Sequence, residues 1–210
     1  MRTKLFIATL GLLALGTTNA ASAQQADRPM ARGKTGNMKM IAGWPKASKE
    51  AVEFMTKKYG PPAAVTPEMA VWGQTGPWKR TIVFRTEYQH DFPMAHKDVM
   101  QQWIDYKAPA DKYDELAMYD GSVVLERTSG EMSARCDAEG ANFLALNLAH
   151  DIVTGKSNVE EARKMYGEQI MAMKNKKPAP YTEKLRFDRR SGTGDPDKPI
   201  TMLGMDHSKQ

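Results

Sequence analysis

The first amphipathic pattern that follows the N-terminal segment runs from Ser48 to Tyr59. Ser48 suits the N-cap, whereas Gly60 and the two prolines after it stop the helix. The apolar positions fall at helical spacing on one face: Ala51, Phe54, Met55 and Tyr59. The pattern therefore predicts a helix over residues 48–59.

Two further helices are predicted in the C-terminal half. Residues 138–154 carry apolar side chains almost all round the helix, which is typical of a largely buried helix, with Asp137 as cap and Gly155 as stop. The next helix begins with a capping box from Ser157 to Glu160, and its apolar face extends to Met173.

Alternation of apolar and polar residues predicts two β-hairpins. In the first, Ile82 and Phe84 alternate with Thr81, Val83 and Arg85 after a Gly-rich turn at 73–77. The second covers 123–136 and turns at Ser129-Gly130, a register that sets Glu126 opposite Ser133. One face of this hairpin is apolar and suits a core: Val123, Leu125, Ala134 and Cys136.

The stretch 98–107 fits two structures. Val99, Met100, Trp103 and Ile104 have helical spacing, whereas Met100, Gln102, Ile104 and Tyr106 alternate as in a strand. We interpret it as a strand, because it would pair with the run that ends at Glu87 and make residues 88–98 the connecting loop. Together, these helices and strands predict an α+β fold, with an antiparallel sheet of about four to five strands and helices packed on one face.

The N-terminus has the pattern of an export signal. Arg2 and Lys4 precede an apolar run at 5–15 and a small-residue segment that ends at Ala23. We predict a signal peptide over 1–23, a flexible leader over 24–43, one α+β domain over 44–188 and a disordered tail over 189–210. The mature protein is expected to be periplasmic or secreted, without a transmembrane anchor after cleavage.

Charge and cysteine content narrow the possible partners. Residues 1–23 contain two basic residues and no acidic ones, so cleavage lowers the net charge from +5 to +3. The basic residues are interleaved with acidic ones along the chain, so no nucleic-acid partner is expected. The single cysteine, Cys136, cannot close an internal disulfide.

The stretch YQHDFPMAHKD at 88–98 contains the main candidate for chemistry. It supplies two imidazoles and two carboxylates, a ligand set suited to Zn, Fe or Mn: His90, Asp91, His96 and Asp98. The histidines are six residues apart, so we expect them to converge only if Pro93 bends the loop back on itself. The alternative is a polar connection in which each histidine bonds a neighbouring carbonyl.

The polar face of the second hairpin is a candidate ligand site. Glu126, Ser133 and Arg135 share this face, and Arg135 is suited to grip a carboxylate or phosphate. A solvated surface on which Arg135 pairs with Glu126 is the alternative. His150, near the end of a buried helix, and Cys136, on the apolar strand face, are interpreted as structural.

Methionines and a histidine in the two flexible ends suggest a second metal chemistry. Thioether and imidazole groups suit Cu(I), and the run MLGMDH resembles the short Met/His runs of exported copper-handling proteins. The residues concerned are Met30, Met38, Met40, Met202, Met205 and His207. No dense Met repeat accompanies them.

The sequence contains no Gly-rich phosphate loop, nucleophile elbow, paired-cysteine motif or His-Glu-x-x-His helix, so no catalytic residue is assigned. We expect a non-catalytic domain that binds a small ligand or a divalent transition metal. One alternative is a cell-envelope interaction module that contacts a protein partner through exposed Trp72 and Trp78. Another is a hydrolase that uses His90 or His96 as its base.

Overall fold

The computed structural model describes residues 35–189 and 192–201. The predicted signal peptide, most of the predicted leader and the end of the tail lie outside the described residues. So do four of the residues considered for copper: Met30, Met202, Met205 and His207.

Six antiparallel strands form one sheet in the described part of the chain. Their order across the sheet is β1-β2-β3-β4-β6-β5. The strands are β1 Ala64–Val65, β2 Met69–Trp72, β3 Arg80–His90, β4 His96–Asp105, β5 Val124–Glu126 and β6 Glu131–Cys136. The α+β prediction is confirmed with one strand more than expected, and the strand interpretation of the ambiguous stretch 98–107 is also confirmed.

Within residues 35–189 and 192–201, four α-helices accompany the sheet: α1 Lys46–Tyr59, α2 Tyr113–Tyr119, α3 Glu139–Val153 and α4 Val159–Lys174. Short 3-10 helices occupy Thr35–Gly43, Ala110–Lys112 and Pro180–Thr182. The capping box of α4 lies one residue later than predicted, between Asn158 and Glu161. Among the described residues, no helix has both the length and the apolar character needed to cross a membrane.

The core lies between one face of the sheet and the helices. At one end, α1 packs Val52 and Met55 against Val83 of β3 and Met100 of β4. At the other end, the apolar residues of α2, α3 and α4 cover β4 and β6. Both clusters are almost fully withdrawn from water, and burial of this apolar surface is the main force that holds helices to sheet.

A buried polar contact fixes α3 across the centre of the sheet. The Asn142 amide donates to the Met100 carbonyl at 3.0 Å and to Gln102 Oε1 at 2.9 Å. The Gln102 amide in turn donates to Thr81 Oγ1 on β3 at 3.3 Å. Because buried polar groups are costly without partners, these bonds select one position of α3 on β4.

Trp72 and Trp78 are buried, 2% and 0% exposed, so the prediction that they form an exposed contact surface is wrong. The Trp72 indole donates to the Gly60 carbonyl at 2.9 Å. The Trp78 indole donates to Glu139 Oε1 at 2.7 Å, and its ring stacks on Phe143 at 4.7 Å between centroids. Each ring therefore buries its surface with its one polar atom satisfied.

The second hairpin has a wider turn than predicted. Val124 pairs with Ser133 and Leu125 with Met132, so residues 127–130 form a four-residue connection. Glu126 lies opposite Glu131 instead of Ser133. Glu126 also accepts a hydrogen bond from the Ser129 hydroxyl at 2.6 Å, which holds the wider loop closed. The shift is two residues, so it leaves the predicted division into an inner and an outer face unchanged.

Parts of both predicted flexible ends pack on the domain. In the predicted leader, Ile41 is 6% exposed and joins the α1 core cluster. In the predicted tail, Thr193 is buried against Gly130, and Asp197 forms an ion pair with Arg127. The folded part therefore extends beyond the predicted limits at 44 and 188.

Gly130 provides a test of the contact between the C-terminal segment and the β5–β6 turn. Its φ is +63°, and a Cβ added there would stand 2.0 Å from the Thr193 carbonyl oxygen. We expect Gly130→Ala to lower the free energy of unfolding by about 1–3 kcal/mol, from backbone strain and the clash together. Urea denaturation measures this change in the free energy of unfolding. Gly155→Ala is the matched control, since its φ of +72° brings a similar backbone strain and a Cβ there meets nothing within 4 Å; an equal loss of stability in the two variants would contradict the contact.

Candidate metal centre

The β3–β4 hairpin brings His90 and His96 together. His90 is the last residue of β3, His96 is the first of β4, and their Cα atoms are direct partners in the sheet. Residues that face each other on antiparallel strands project to the same side of the sheet. Asp98 is two residues after His96 on β4, so its side chain projects to that side as well. The connection, residues 91–95, is thus shorter than the predicted 88–98 loop. The chain does fold back there, at Pro93 as expected, and the histidines lie on the paired strand ends on either side of it.

An irregularity in β3 sets this register. Val83 pairs with Met100, and that register continued without change would set His90 opposite Pro93. The pairing shifts between Val83 and Tyr88, so that Tyr88 meets Asp98 and His90 meets His96. Within the shifted stretch, Glu87 Oε1 accepts the Ala47 backbone N–H at 2.8 Å. The first turn of α1 therefore anchors the irregular stretch, since helix N-termini favour a carboxylate.

Three side chains converge at the end of the hairpin. Ligand atoms of His90, His96 and Asp98 all lie within 4.8 Å of one another. Asp98 Oδ2 is 3.1 Å from His90 Nδ1, and Asp98 Oδ1 is 3.1 Å from His96 Nε2. The side chains are 20%, 13% and 6% exposed, in chain order. We call these three residues the triad.

Three atoms of the triad are buried and have no hydrogen-bond partner in the described part of the chain: His90 Nδ1, His96 Nε2 and Asp98 Oδ1. The 3.1 Å separations are short enough for ion pairs, but these three atoms make no hydrogen bond of standard geometry. Buried polar atoms without partners are rare in folded proteins, because each loses its hydration without replacement. The contacts between the three residues therefore do not satisfy these atoms.

The backbone determines which nitrogen of His96 carries a proton. Nδ1 lies 2.8 Å from the Met94 carbonyl oxygen, which can only accept, so Nδ1 is the donor. In the neutral ring, Nε2 then presents a lone pair toward the Asp98 carboxylate. Burial lowers the pKa of His96, but the Asp98 carboxylate and the bond to Met94 outweigh it, so the pKa is raised above its usual value. A positive charge between Nε2 and Asp98, a proton or a metal ion, is electrostatically favoured.

Asp120 lies next to His90, the other histidine of the triad. Its Oδ1 lies 3.9 Å from His90 Nε2, the ring nitrogen that points away from Asp98. The backbone N–H and the hydroxyl of Ser122 both donate to Asp120 at 2.8 Å, which fixes the carboxylate. Burial raises the pKa of Asp120, and the Ser122 bonds and His90 act against that rise. Asp120 is not among the residues predicted from the sequence, where its only signal is an Asp-Gly turn between α2 and β5.

A cavity of about 140 Å³ adjoins the triad at His96. Its walls are largely apolar: Met94, Cys136, Ala141, Tyr166, Ile170 and Met173 all contribute. His96 is the one triad residue that borders the cavity as well.

Asp91 does not join the triad. It is exposed, and its carboxylate accepts a hydrogen bond from the Gln89 amide at 2.7 Å. The group of potential ligands at this hairpin contains His90, His96 and Asp98 without it. Of the four residues predicted as metal ligands, the structure gathers three.

The three residues predicted as a ligand site on the polar sheet face are not gathered into a binding set. Glu126 is exposed and bonds to Ser129 in its own turn. Ser133 is 1% exposed, and its hydroxyl accepts a hydrogen bond from Gln101 at 2.9 Å. The Arg135 guanidinium lies over the Tyr88 ring at 4.6 Å, and its Nε is buried without a partner among the described residues.

His150 and Cys136 lie in structural surroundings. His150 stacks on Phe187 at 4.2 Å, and its Nδ1 is 2.9 Å from the Tyr106 hydroxyl. The Cys136 thiol is 3.5 Å from an Asp137 carboxylate oxygen. Burial raises the pKa of this thiol well above its usual value, and the less reactive protonated form is therefore favoured.

Comparison of the chain with protein-family models, curated proteins and solved structures found no match.

Charges elsewhere on the open sheet face pair with one another. Both carboxylate oxygens of Glu131 meet the Arg80 guanidinium, at 2.9 and 2.5 Å, and Lys79 approaches to 2.7 Å. The bonds from Arg80 lower the pKa of Glu131 from 4.5 to about 2, with Lys79 adding to the effect and burial opposing it.

We expect this network to make stability depend on pH. Because the pKa of Glu131 is lower in the folded state, its contribution is fully present above 4.5 and is lost as pH falls through about 2. Glu131→Gln should cost about 2 kcal/mol at pH 7, and the gap from wild type should narrow steadily in acid. Denaturant titrations from pH 7 to pH 2 measure the gap; a constant gap would contradict the assignment.

Proposed function

We propose that this protein binds a divalent transition metal ion of the Zn, Fe or Mn class through the triad. The ligand atoms are His90 Nδ1, His96 Nε2 and a carboxylate oxygen of Asp98. The single observation that carries the proposal is the convergence, within 4.8 Å, of buried ligand atoms that lack hydrogen-bond partners among the described residues.

The alternative is a purely structural ion pair between protonated histidine and Asp98. A buried carboxylate repays its loss of hydration only with well-aligned hydrogen bonds. Asp98 is 4% exposed, yet neither contact to a histidine has that alignment. A metal ion placed among the three side chains would satisfy all the unpartnered atoms at once, which favours the metal.

The supporting groups also resemble those around metal ligands in general. Histidine ligands usually donate their second ring N–H to a carbonyl or a carboxylate, which fixes the tautomer and the ring orientation. His96 bonds the Met94 carbonyl in this way, and Asp120 lies near the second nitrogen of His90. Both histidines thus have a group that can hold the ring with its lone pair directed inward.

The ligand set supports the proposed metal class. Two imidazoles with one carboxylate are borderline ligands, common for zinc and non-haem iron and less suited to Ca²⁺ or Mg²⁺. Three protein ligands also leave at least one coordination position for water or another ligand. If the predicted signal peptide is cleaved, the mature protein meets its metal in the periplasm or outside the cell.

Metal content is the direct test. The mature chain, made without a histidine tag, is expected to bind one metal ion per chain by elemental analysis after incubation with Zn²⁺, Mn²⁺ or Fe²⁺ and removal of excess ion. At a hundredfold excess over the dissociation constant, the ion should raise the melting temperature by roughly 5–10 °C. His96→Gln and Asp98→Asn should abolish both effects while remaining folded.

Asp91→Asn is the matched control for Asp98→Asn, because Asp91 is a carboxylate of the same hairpin outside the triad. This variant should bind the ion as the wild type does. The proposal fails if the wild type takes up no metal, or if the triad variants and the control show the same stoichiometry and the same thermal shift.

The two alternatives from the sequence have less support. The interaction module relied on exposed Trp72 and Trp78, which are buried. A hydrolase with His90 or His96 as general base needs a free ring nitrogen. In His96, Nδ1 is bonded to Met94 and Nε2 faces Asp98. In His90, Nδ1 faces Asp98 and Nε2 faces Asp120. We therefore advance metal binding alone.

A further inference from the structure

The cavity beside His96 has the size of a small organic molecule. Cavities of about 150 Å³ with apolar walls accept a benzene-sized guest, and this one measures about 140 Å³. Its deeper walls come from α3 and α4, with Ala141, Tyr166, Ile170 and Met173. Such walls favour a compact apolar body, since they offer dispersion contacts and few polar partners.

His96, which also belongs to the triad, is one of the polar residues that line the cavity. A ligand whose polar group lies at His96 would be close to the proposed metal position. Three protein ligands leave a coordination position to fill, and a ligand oxygen is the simplest occupant. The geometry thus favours a ligand with an apolar body and an oxygen-bearing head group.

Lys174 provides a positive charge on the same wall. Its Nζ lies 2.8 Å from the Met94 sulfur, and no carboxylate of the described residues pairs with it within 4.0 Å. Lys174 is exposed and its ammonium group is hydrated, and because a thioether is only a weak acceptor, the ammonium group keeps its positive charge available to a ligand. An anionic head group would compensate it.

The charges around the cavity limit the head group to one negative charge. Lys174 is positive and Asp137, which also borders the cavity, is negative. A divalent ion held by the Asp98 carboxylate and two neutral imidazoles adds one net positive charge. The Asp120 carboxylate next to His90 offsets that charge. A head group therefore meets two positive groups, the metal ion and Lys174, and a second negative charge on it would be repelled by Asp137 and Asp120.

We infer that the cavity binds a small monocarboxylate with a compact apolar body, about the size of benzoate, whose carboxylate completes the coordination of the metal and contacts Lys174. This inference rests on the proposed metal function. The body lies against the walls from α3 and α4, and the head group lies between His96 and Lys174.

The test is calorimetric titration of the zinc-loaded wild type with benzoate and with benzyl alcohol, which keeps the ring and removes the charge. Benzoate should bind at least roughly tenfold more tightly than benzyl alcohol, because only the carboxylate gains the metal and the ammonium group. Phthalate, a dianion of similar shape, should bind more weakly than benzoate.

Two variants examine the two ends of the ligand. Lys174→Met should weaken benzoate roughly fivefold and leave benzyl alcohol unchanged, whereas Lys164→Met, an exposed lysine of the same helix, should change neither. Ala141→Val narrows the cavity and should weaken both compounds. Each variant must keep the wild-type zinc stoichiometry, which also shows that it is folded.

The outcomes separate this inference from the metal proposal. Zinc bound at full stoichiometry with no benzoate binding, or with benzoate and benzyl alcohol bound equally, overturns the ligand inference and leaves the metal proposal standing. Benzoate binding unchanged in both Lys174→Met and Ala141→Val places the compound elsewhere and also overturns it. A wild type that binds no zinc overturns both.

Discussion

The pairing register between β3 and β4 is the constraint on which the candidate site depends. The register shifts between Val83 and Tyr88, and without this shift His90 would lie opposite Pro93. Glu87 lies within the shifted stretch and accepts backbone N–H groups from the start of α1 at 2.8 and 3.4 Å. The irregular stretch is thus stabilised by a contact outside the sheet, and the convergence of the triad follows from the packing of α1.

Helices α3 and α4 fix the parts of the site that α1 does not contact. Asn142 of α3 bonds the backbone of β4 at Met100, two residues from Asp98. Phe92, in the connection that follows His90, packs on Tyr166 of α4 at 5.1 Å and under the Arg163 guanidinium at 3.7 Å. Arg163 also donates to the Tyr119 carbonyl, next to Asp120. The hairpin end, its neighbour Asp120 and the cavity walls are therefore held by one packed group, which limits the reorganisation that ligand binding would require.

Local pattern predicted the elements well, because helix caps and strand alternation are encoded by neighbours in the chain. The alternation of Met100, Gln102 and Ile104 was sufficient to favour a strand for β4. Burial of Trp78 depends on Glu139, 61 residues away, and the hairpin register depends on a contact between Ala47 and Glu87. Neither contact has a local signal, so the tryptophans were expected outside and the histidines in a bent loop. Asp120 was missed for the same reason, since it meets His90 only in the folded chain.

His96 is shared between the proposed metal position and the cavity, and this sharing has an energetic consequence. Its ring is oriented by the Met94 carbonyl, and Met94 also borders the cavity and contacts Lys174. Anything that fills the cavity therefore packs against the groups that set the direction of Nε2. In the proposed complex the carboxylate of the organic ligand binds the metal ion directly, so each ligand provides a contact for the other. Such coupling is reciprocal, and a metal ion at the triad should favour the organic ligand as much as that ligand favours the metal.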